Sequence, residues 1–203
     1  MSNPQENEYR NLNFHPYNIM LTLLLAGLIM LFLALSASYV YSRIQHKIPP
    51  IEIPIMFLFN TLILMGSSYT LALAKKSYEN DNTRAYQVNL GLTLLLSILF
   101  MLAQCIAWWQ MMQINHGISS SNVASYIWAI SILHLIHVLG GIPFLAAFFY
   151  VAVKRMKEPV SVLVYFSDPL KKLKLKLLTM YWHFLDLLWI YLVLFFYINY
   201  FIR

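Results

Sequence analysis

Charge is what this sequence has least of. Only 11% of its 203 residues are Asp, Glu, Lys or Arg, against about a quarter in soluble domains. So few charges cannot cover a water-soluble globule of this size, which excludes the soluble enzyme classes. Cysteine is nearly absent as well: Cys105 stands alone, so no intrachain disulfide forms and no redox compartment follows from it. Six glycines and eight prolines are too few for a collagenous or low-complexity chain. No HExxH, CxxC or phosphate-binding loop occurs, and no Ser–His–Asp spacing falls in a connecting segment. No internal repeat is visible, which argues against an inverted-repeat transporter.

What is present is hydrophobic. Apolar residues make up 60% of the chain, and they gather in five runs, at about 19–41, 51–74, 86–107, 124–151 and 175–200. A bilayer crossing takes about 20 mostly apolar residues, and each run is long enough. Pro49-Pro50, the stretch from Lys75 to Asp81, the stretch from His116 to Ser121, and a longer connection from Lys154 to Lys174 with Pro159 and Pro169 divide them. The expected fold is all-α: one polytopic membrane domain over residues 1–203, a bundle of five transmembrane helices. The first run is not expected to be a cleaved signal, because Arg10 is offset by Glu6 and Glu8 in its leading segment.

Orientation follows from the basic residues. Arg10, Lys75, Lys76, Arg84, Lys154, Arg155, Lys157, Lys171, Lys172, Lys174 and Lys176 fall on one side, and only Arg43, Lys47 and Arg203 on the other. The N-terminus is therefore expected in the cytoplasm and the C-terminus outside. The net charge of +6 acts as a topology and lipid-headgroup signal. No soluble basic domain exists to carry a nucleic acid.

Polar residues inside the runs are ordered. Asn89, Thr93, Ser97 and Gln104 share one helical face of the third run; Asn60, Thr61, Ser67 and Ser68 accompany Gly66 in the second; Ala26, Ala34 and Ser38 accompany Gly27 in the first. Small and polar stripes let helices approach and hydrogen-bond in lipid, so ordinary bundle packing accounts for all three.

The last two runs carry more. His134, His137, Gly140 and Gly141 lie in the fourth; Tyr181, Trp182, His183, Asp186, Trp189 and Tyr191 lie in the fifth. A carboxylate deep in a span costs about 2.5–3.5 kcal/mol or more, so Asp186 must face the interior and find a partner. A hydrogen bond to His134, His137, His183 or a tryptophan is the expected solution, with Gly141 letting the neighbouring helix come close. Three uses of this cluster compete. It could ligate a haem through facing histidines, form a short proton relay, or lock two helices as a structural polar cluster of His134, His137, His183, Asp186, Trp182 and Trp189. The histidine pairing is poor and further acids are missing, so the structural use is expected.

Two stretches resemble a known family. Tyr181-Trp182-His183-Phe184-Leu185-Asp186-Leu187-Leu188-Trp189 is similar to the YWHFxDxxW signature of subunit III of the haem–copper respiratory oxidases. The stretch His134-Leu135-Ile136-His137-Val138-Leu139-Gly140 is similar to that family's HxxHVxxG. Asn60-Thr61, Ser67-Ser68 and Gln104 are weaker echoes. The chain departs from the family at Ile132 and Leu135, where glycine is common beside the histidines. Ala107 and Leu28 stand where carboxylates occur. Five spans match the short form rather than the seven-span one.

The resemblance implies an accessory subunit, without catalytic residues, of a proton-pumping terminal oxidase that reduces oxygen to water, in a bacterial cytoplasmic membrane. Haem and copper would reside in partner subunits, with none in this chain. Its partners would be catalytic subunit I, other oxidase subunits and membrane lipid, with no nucleic acid. In that family the subunit binds phospholipid and supports sustained proton uptake. The electron donor, cytochrome c or quinol, would be chosen elsewhere in the complex. A haem-b membrane anchor and the homologous accessory subunit of nitric oxide reductase are the alternatives. Basic residues at the ends of the last two spans, Lys154, Arg155, Lys171, Lys172, Lys174 and Lys176, are expected to contact anionic lipid. The lysine-rich lead-in to the last span is expected to lie along the interface.

Overall fold

A computed structural model describes residues 16–48, 51–114, 117, 121–156 and 158–201, the side chains of 159 and 160 excepted. Arg10, Pro49-Pro50, His116, Lys157 and Arg203 therefore lie outside the described residues. The elements are α1 (Pro16–His46), α2 (Met56–Glu79), α3 (Thr83–Gln113), α4 (Asn122–Arg155), α5 (Pro159–Ser167) and α6 (Pro169–Phe201). All but α5 are long and apolar enough to cross a membrane. A helix satisfies its backbone hydrogen bonds internally, which an unhydrated bilayer core demands.

Local chemistry sets the boundaries. The α2–α3 hairpin turns through Asp81, which adopts φ 54°, a conformation aspartate tolerates better than most residues. The Asn82 side chain then accepts the Ala85 amide at 3.1 Å and caps α3. Ser121 caps α4 in the same way through the Ala124 amide. Asp168 accepts the Leu170 amide at 3.0 Å at the start of α6 and pairs with Lys171 at 3.4 Å. Slight burial pushes its carboxyl up, but those amides and the Lys171 ammonium outweigh it and hold it below its ordinary range.

Three expectations need correction. The second run starts as helix at Met56, not 51, because Pro54 interrupts the segment before it. The connection from Lys154 to Lys174 is largely helical: Pro159 starts α5 and Pro169 starts α6, each at a first-turn position where no amide hydrogen is needed. Lys171 to Lys176 thus belong to the first turns of the membrane-spanning helix itself. They form no separate stretch along the interface. At about 1.5 Å per residue, α6 is longer than a hydrocarbon core of about 30 Å, so these turns reach headgroup level. Finally, the alanines and glycine singled out in the first run do not make the α1 interface. Ala26, Gly27 and Ala34 are exposed, nothing lies within 4 Å of a Cβ built on Gly27, and α1 buries Leu28, Phe32, Ser36, Tyr39 and Ser42 instead.

The helices pack as α2 along α3, with α6 against α2, α4 against α3 and α6, and α1 against α4 and α6. Large apolar side chains point outward all round, Leu23, Met30 and Leu187 each about two-thirds exposed. In water such a surface would aggregate; in lipid it is the solvent-facing side. The interior holds two aromatic clusters. One gathers Phe32, Phe57, Phe100, Trp128, Trp189 and Phe196. The other gathers Tyr78, Tyr86, Tyr165 and Trp182, and it secures α5 through a bond from the Tyr78 hydroxyl to the Tyr165 carbonyl at 3.0 Å.

The polar face of the third run is where α2 meets α3. Asn60 donates to Gln104 at 2.7 Å, Ser67 lies 3.5 Å from Ser97, Thr70 2.8 Å from Thr93, and Asn89 donates to Ser77 at 3.5 Å. The pairs run in opposite directions along the two helices, as an antiparallel ladder must. Lipid offers no hydrophobic gain for joining two apolar helices, so these bonds and close packing set the register. Replacing either Asn60 or Gln104 by Leu is expected to cost about 1–2 kcal/mol by stranding a buried amide, and replacing both to cost less than the sum. Thermal unfolding of the three variants in detergent checks this.

Candidate functional site

The sequence-predicted cluster sits where α2, α4 and α6 converge, and its wiring differs from expectation. Asp186 is 5% exposed, and the polar side chain that acts on its carboxyl is Ser68 of α2. No histidine or tryptophan takes that place. Ser68 Oγ also lies 2.6 Å from His183 Nδ1. Ser68 thus stands between the half-buried histidine and the buried acid. The expectation of a partner on the last two spans fails for a geometric reason. His183 and Asp186 project from one face of α6, and that face lies against α2.

The other members are placed separately. His134 is fully buried, with Nε2 3.1 Å from the Leu185 carbonyl. His137 turns Nδ1 to the Leu133 carbonyl of its own helix at 2.7 Å, and its ring meets Phe32 edge-on at 6.3 Å. Trp182 donates to Ser67 at 3.2 Å. Trp189 stacks on Phe57 at 5.5 Å, meets Phe100 edge-on at 5.3 Å and lies 4.9 Å from His134. Tyr181 donates to the His137 carbonyl at 2.8 Å. The six residues thus divide: Trp189 belongs to one aromatic cluster and Trp182 to the other, His183 is half-buried, and His137 packs against Phe32 of α1.

Gly141 does what its sequence position promised. A Cβ there would come within 2.8 Å of the Trp182 ring and 3.0 Å of Tyr181, so α4 and α6 touch only because the side chain is missing. Sequence reasoning passed over Ser67 and Ser68 as packing residues. Their signal was the adjacent pair beside Gly66 in an otherwise apolar run, which puts one hydroxyl toward α3 and the other toward α6.

Chemically, the arrangement ties helices together. Among the described residues no group of three or more His, Cys, Asp and Glu is disposed to hold a metal ion. One ring nitrogen of each cluster histidine faces a protein hydrogen-bonding group. A further expected outcome concerns the acid. Asp186→Asn keeps an acceptor for Ser68 and should cost little, since intramembrane polar contacts average about 0.6 kcal/mol. Asp186→Leu deprives the Ser68–His183 pair of its acceptor and should loosen the bundle further, and loss of midpoint temperature in detergent reads both.

At the basic start of α6, Lys172, Lys174 and Lys176 are exposed, and Lys174 Nζ lies 6.0 Å from the Tyr17 ring. Lys171 differs, being paired with Asp168 and lying 4.5 Å over the Tyr165 ring. Lys154 lies 5.0 Å over Tyr150, and Arg155 is exposed.

Comparison with known proteins bears directly on this core. The family model described as "Cytochrome c oxidase subunit III" matches residues 17–200. Among curated relatives, a probable cytochrome c oxidase subunit 3 of Mycobacterium leprae is 29% identical, covering 88% of this chain and 84% of its own. A cytochrome bo(3) ubiquinol oxidase subunit 3 of Buchnera aphidicola is 24% identical over 70% of this chain and 69% of its own. A cytochrome c oxidase subunit 3 of Synechocystis is 24% identical over 83% and 69% respectively. The match takes in the whole described bundle, both signature stretches included.

Proposed function

The chain belongs to the cytochrome c oxidase subunit III family, an integral membrane subunit of haem–copper oxidases, and we propose that it is a cofactor-free accessory subunit of such an oxidase in a bacterial cytoplasmic membrane. In this reading it packs against the catalytic subunit I, holds phospholipid beside it and sustains proton uptake during turnover. Oxygen reduction takes place in the partner subunits, which carry the haem and copper. The observation that carries the reading is the match from residue 17 to residue 200. The geometry supports it. The ionisable and aromatic groups of the core hold α2, α4 and α6 together. A single Cys105 cannot supply the paired thiolates of a dinuclear copper centre.

The test is to purify the oxidase from cells with and without this chain. The expected result is a near-normal initial rate without it, followed by faster loss of activity during turnover. Haem missing from the remaining complex in proportion to the missing chain would overturn the cofactor-free reading.

The lipid part of the reading rests on Lys172, Lys174 and Lys176, with Lys154 and Arg155 across the same end and Lys171 partly spent on Asp168. A juxtamembrane cation gains about 1 kcal/mol near an anionic surface, screened by salt. Changing Lys171, Lys172, Lys174 and Lys176 to Gln is expected to lower the anionic phospholipid retained by the purified complex, quantified by lipid mass spectrometry. Unchanged retention would leave these lysines as topology signals.

A further inference from the structure

Five buried polar atoms lack a protein partner at one place in the fold: Asn60 Oδ1, Gln104 Nε2, His134 Nδ1, Asp186 Oδ2 and Trp189 Nε1. They are not spread along the bundle. Phe57, Phe100, His134 and Trp189 form one ring cluster. Asn60 is three residues from Phe57, Gln104 four from Phe100, and Asp186 three from Trp189. The residues that carry these atoms therefore either belong to this ring cluster or stand within one turn of one of its members on the same helix. Buried polar atoms in native proteins nearly always have a partner, in protein or in ordered water.

Their chemistry says what the partner is. His134 Nε2 faces the Leu185 carbonyl, which can only accept, so Nε2 carries the hydrogen. The neutral ring then presents a lone pair at Nδ1. Trp189 Nε1–H can only donate. The two rings lie 4.9 Å apart and tilted by 36°, nearly face to face. The N–H and the lone pair lie in the planes of their own rings and cannot point at each other. Asn60, already donating to Gln104, has an acceptor to spare, Gln104 keeps N–H donors, and Asp186 Oδ2 adds an acceptor. An anion would be repelled by the lone pair and the carboxyl. A cation would face the N–H groups of Trp189 and Gln104. Only a molecule that both donates and accepts satisfies this set.

We infer that the core of the α2–α3–α4–α6 bundle is a hydration site, in which a water accepts from Trp189 Nε1–H and donates to His134 Nδ1, with Asp186, Asn60 and Gln104 within a turn to complete its bonds. Buried waters make about three hydrogen bonds each; Trp189 and His134 supply two, and the third falls to one of the neighbouring polar side chains. The site has no channel role in this proposal. It satisfies the polar core that ties four helices together.

The test is a cryo-electron microscopy map of the intact oxidase containing this chain, at a resolution that shows ordered water. The expected result is a density peak within hydrogen-bonding distance of both Trp189 Nε1 and His134 Nδ1, lost in Trp189→Phe while the helices stay in place. Absence of the peak in the wild-type map, or direct pairing of these atoms with other protein groups, would overturn the inference. So would a peak that survives Trp189→Phe. Should that variant fail to assemble, the wild-type map decides alone.

Discussion

Gly141→Leu is expected to prevent α4 and α6 from packing, and with it recovery of the chain in a stable complex. Even the single methyl of Gly141→Ala lands 2.8 Å from the Trp182 ring and 3.0 Å from Tyr181. Neither ring can easily move. Trp182 is 1% exposed and held by Ser67, and Tyr181 is tied to the His137 carbonyl. Overpacking of this kind costs about 1–3 kcal/mol for a small addition, and leucine adds three further carbons. The neighbouring glycine supplies the control. A Cβ on Gly140 meets nothing within 4 Å, so Gly140→Ala should be neutral or slightly stabilising, alanine being the better helix former by about 1 kcal/mol. Thermal unfolding in detergent should separate the two glycines clearly.

The second large effect is expected at the ring that Gly141 admits. Trp182→Ala should cost about 3–5 kcal/mol, the range for removing a large buried aromatic. Its indole is, with that of Trp189, the largest fully buried side chain among the described residues, packed in the cluster with Leu145, Leu178 and Tyr165. Trp182→Phe keeps most of that packing and loses the donor to Ser67, so it should fall well short of the alanine variant. If the two were equally damaging, the hydrogen bond to Ser67 would matter more than the volume.

These positions show how much the sequence could reveal. Five spans were legible because 20-residue apolar runs have one structural use in a chain this poor in charge. The α2–α3 ladder was legible in half: the stripe from Asn89 to Gln104 announced an interface, while its partner helix is fixed only by three-dimensional packing. Gly141 beside a histidine pair announced a close approach, and the structure places Trp182 there. Asp186 shows the opposite outcome. Its burial followed from the cost of a carboxyl in lipid, but its partner did not. Helix periodicity tells which residues share a face, and nothing in it tells which helix that face meets. Ser68 was therefore passed over, and the histidines, chemically more conspicuous, were given its place. Helix α5 was missed because Pro159 and Pro169 read as breakers, when both stand at helix starts.

The central claim is that this chain is a cofactor-free subunit of a haem–copper oxidase. It is tested most directly by tagging the chain in its native membrane, purifying what it holds, and identifying the bound proteins by mass spectrometry alongside an optical spectrum of the chain after dissociation. The account predicts that a haem–copper catalytic subunit comes down with it and that the dissociated chain shows no haem absorption. A chain that purifies without such a partner, or keeps a Soret band of its own, would contradict it.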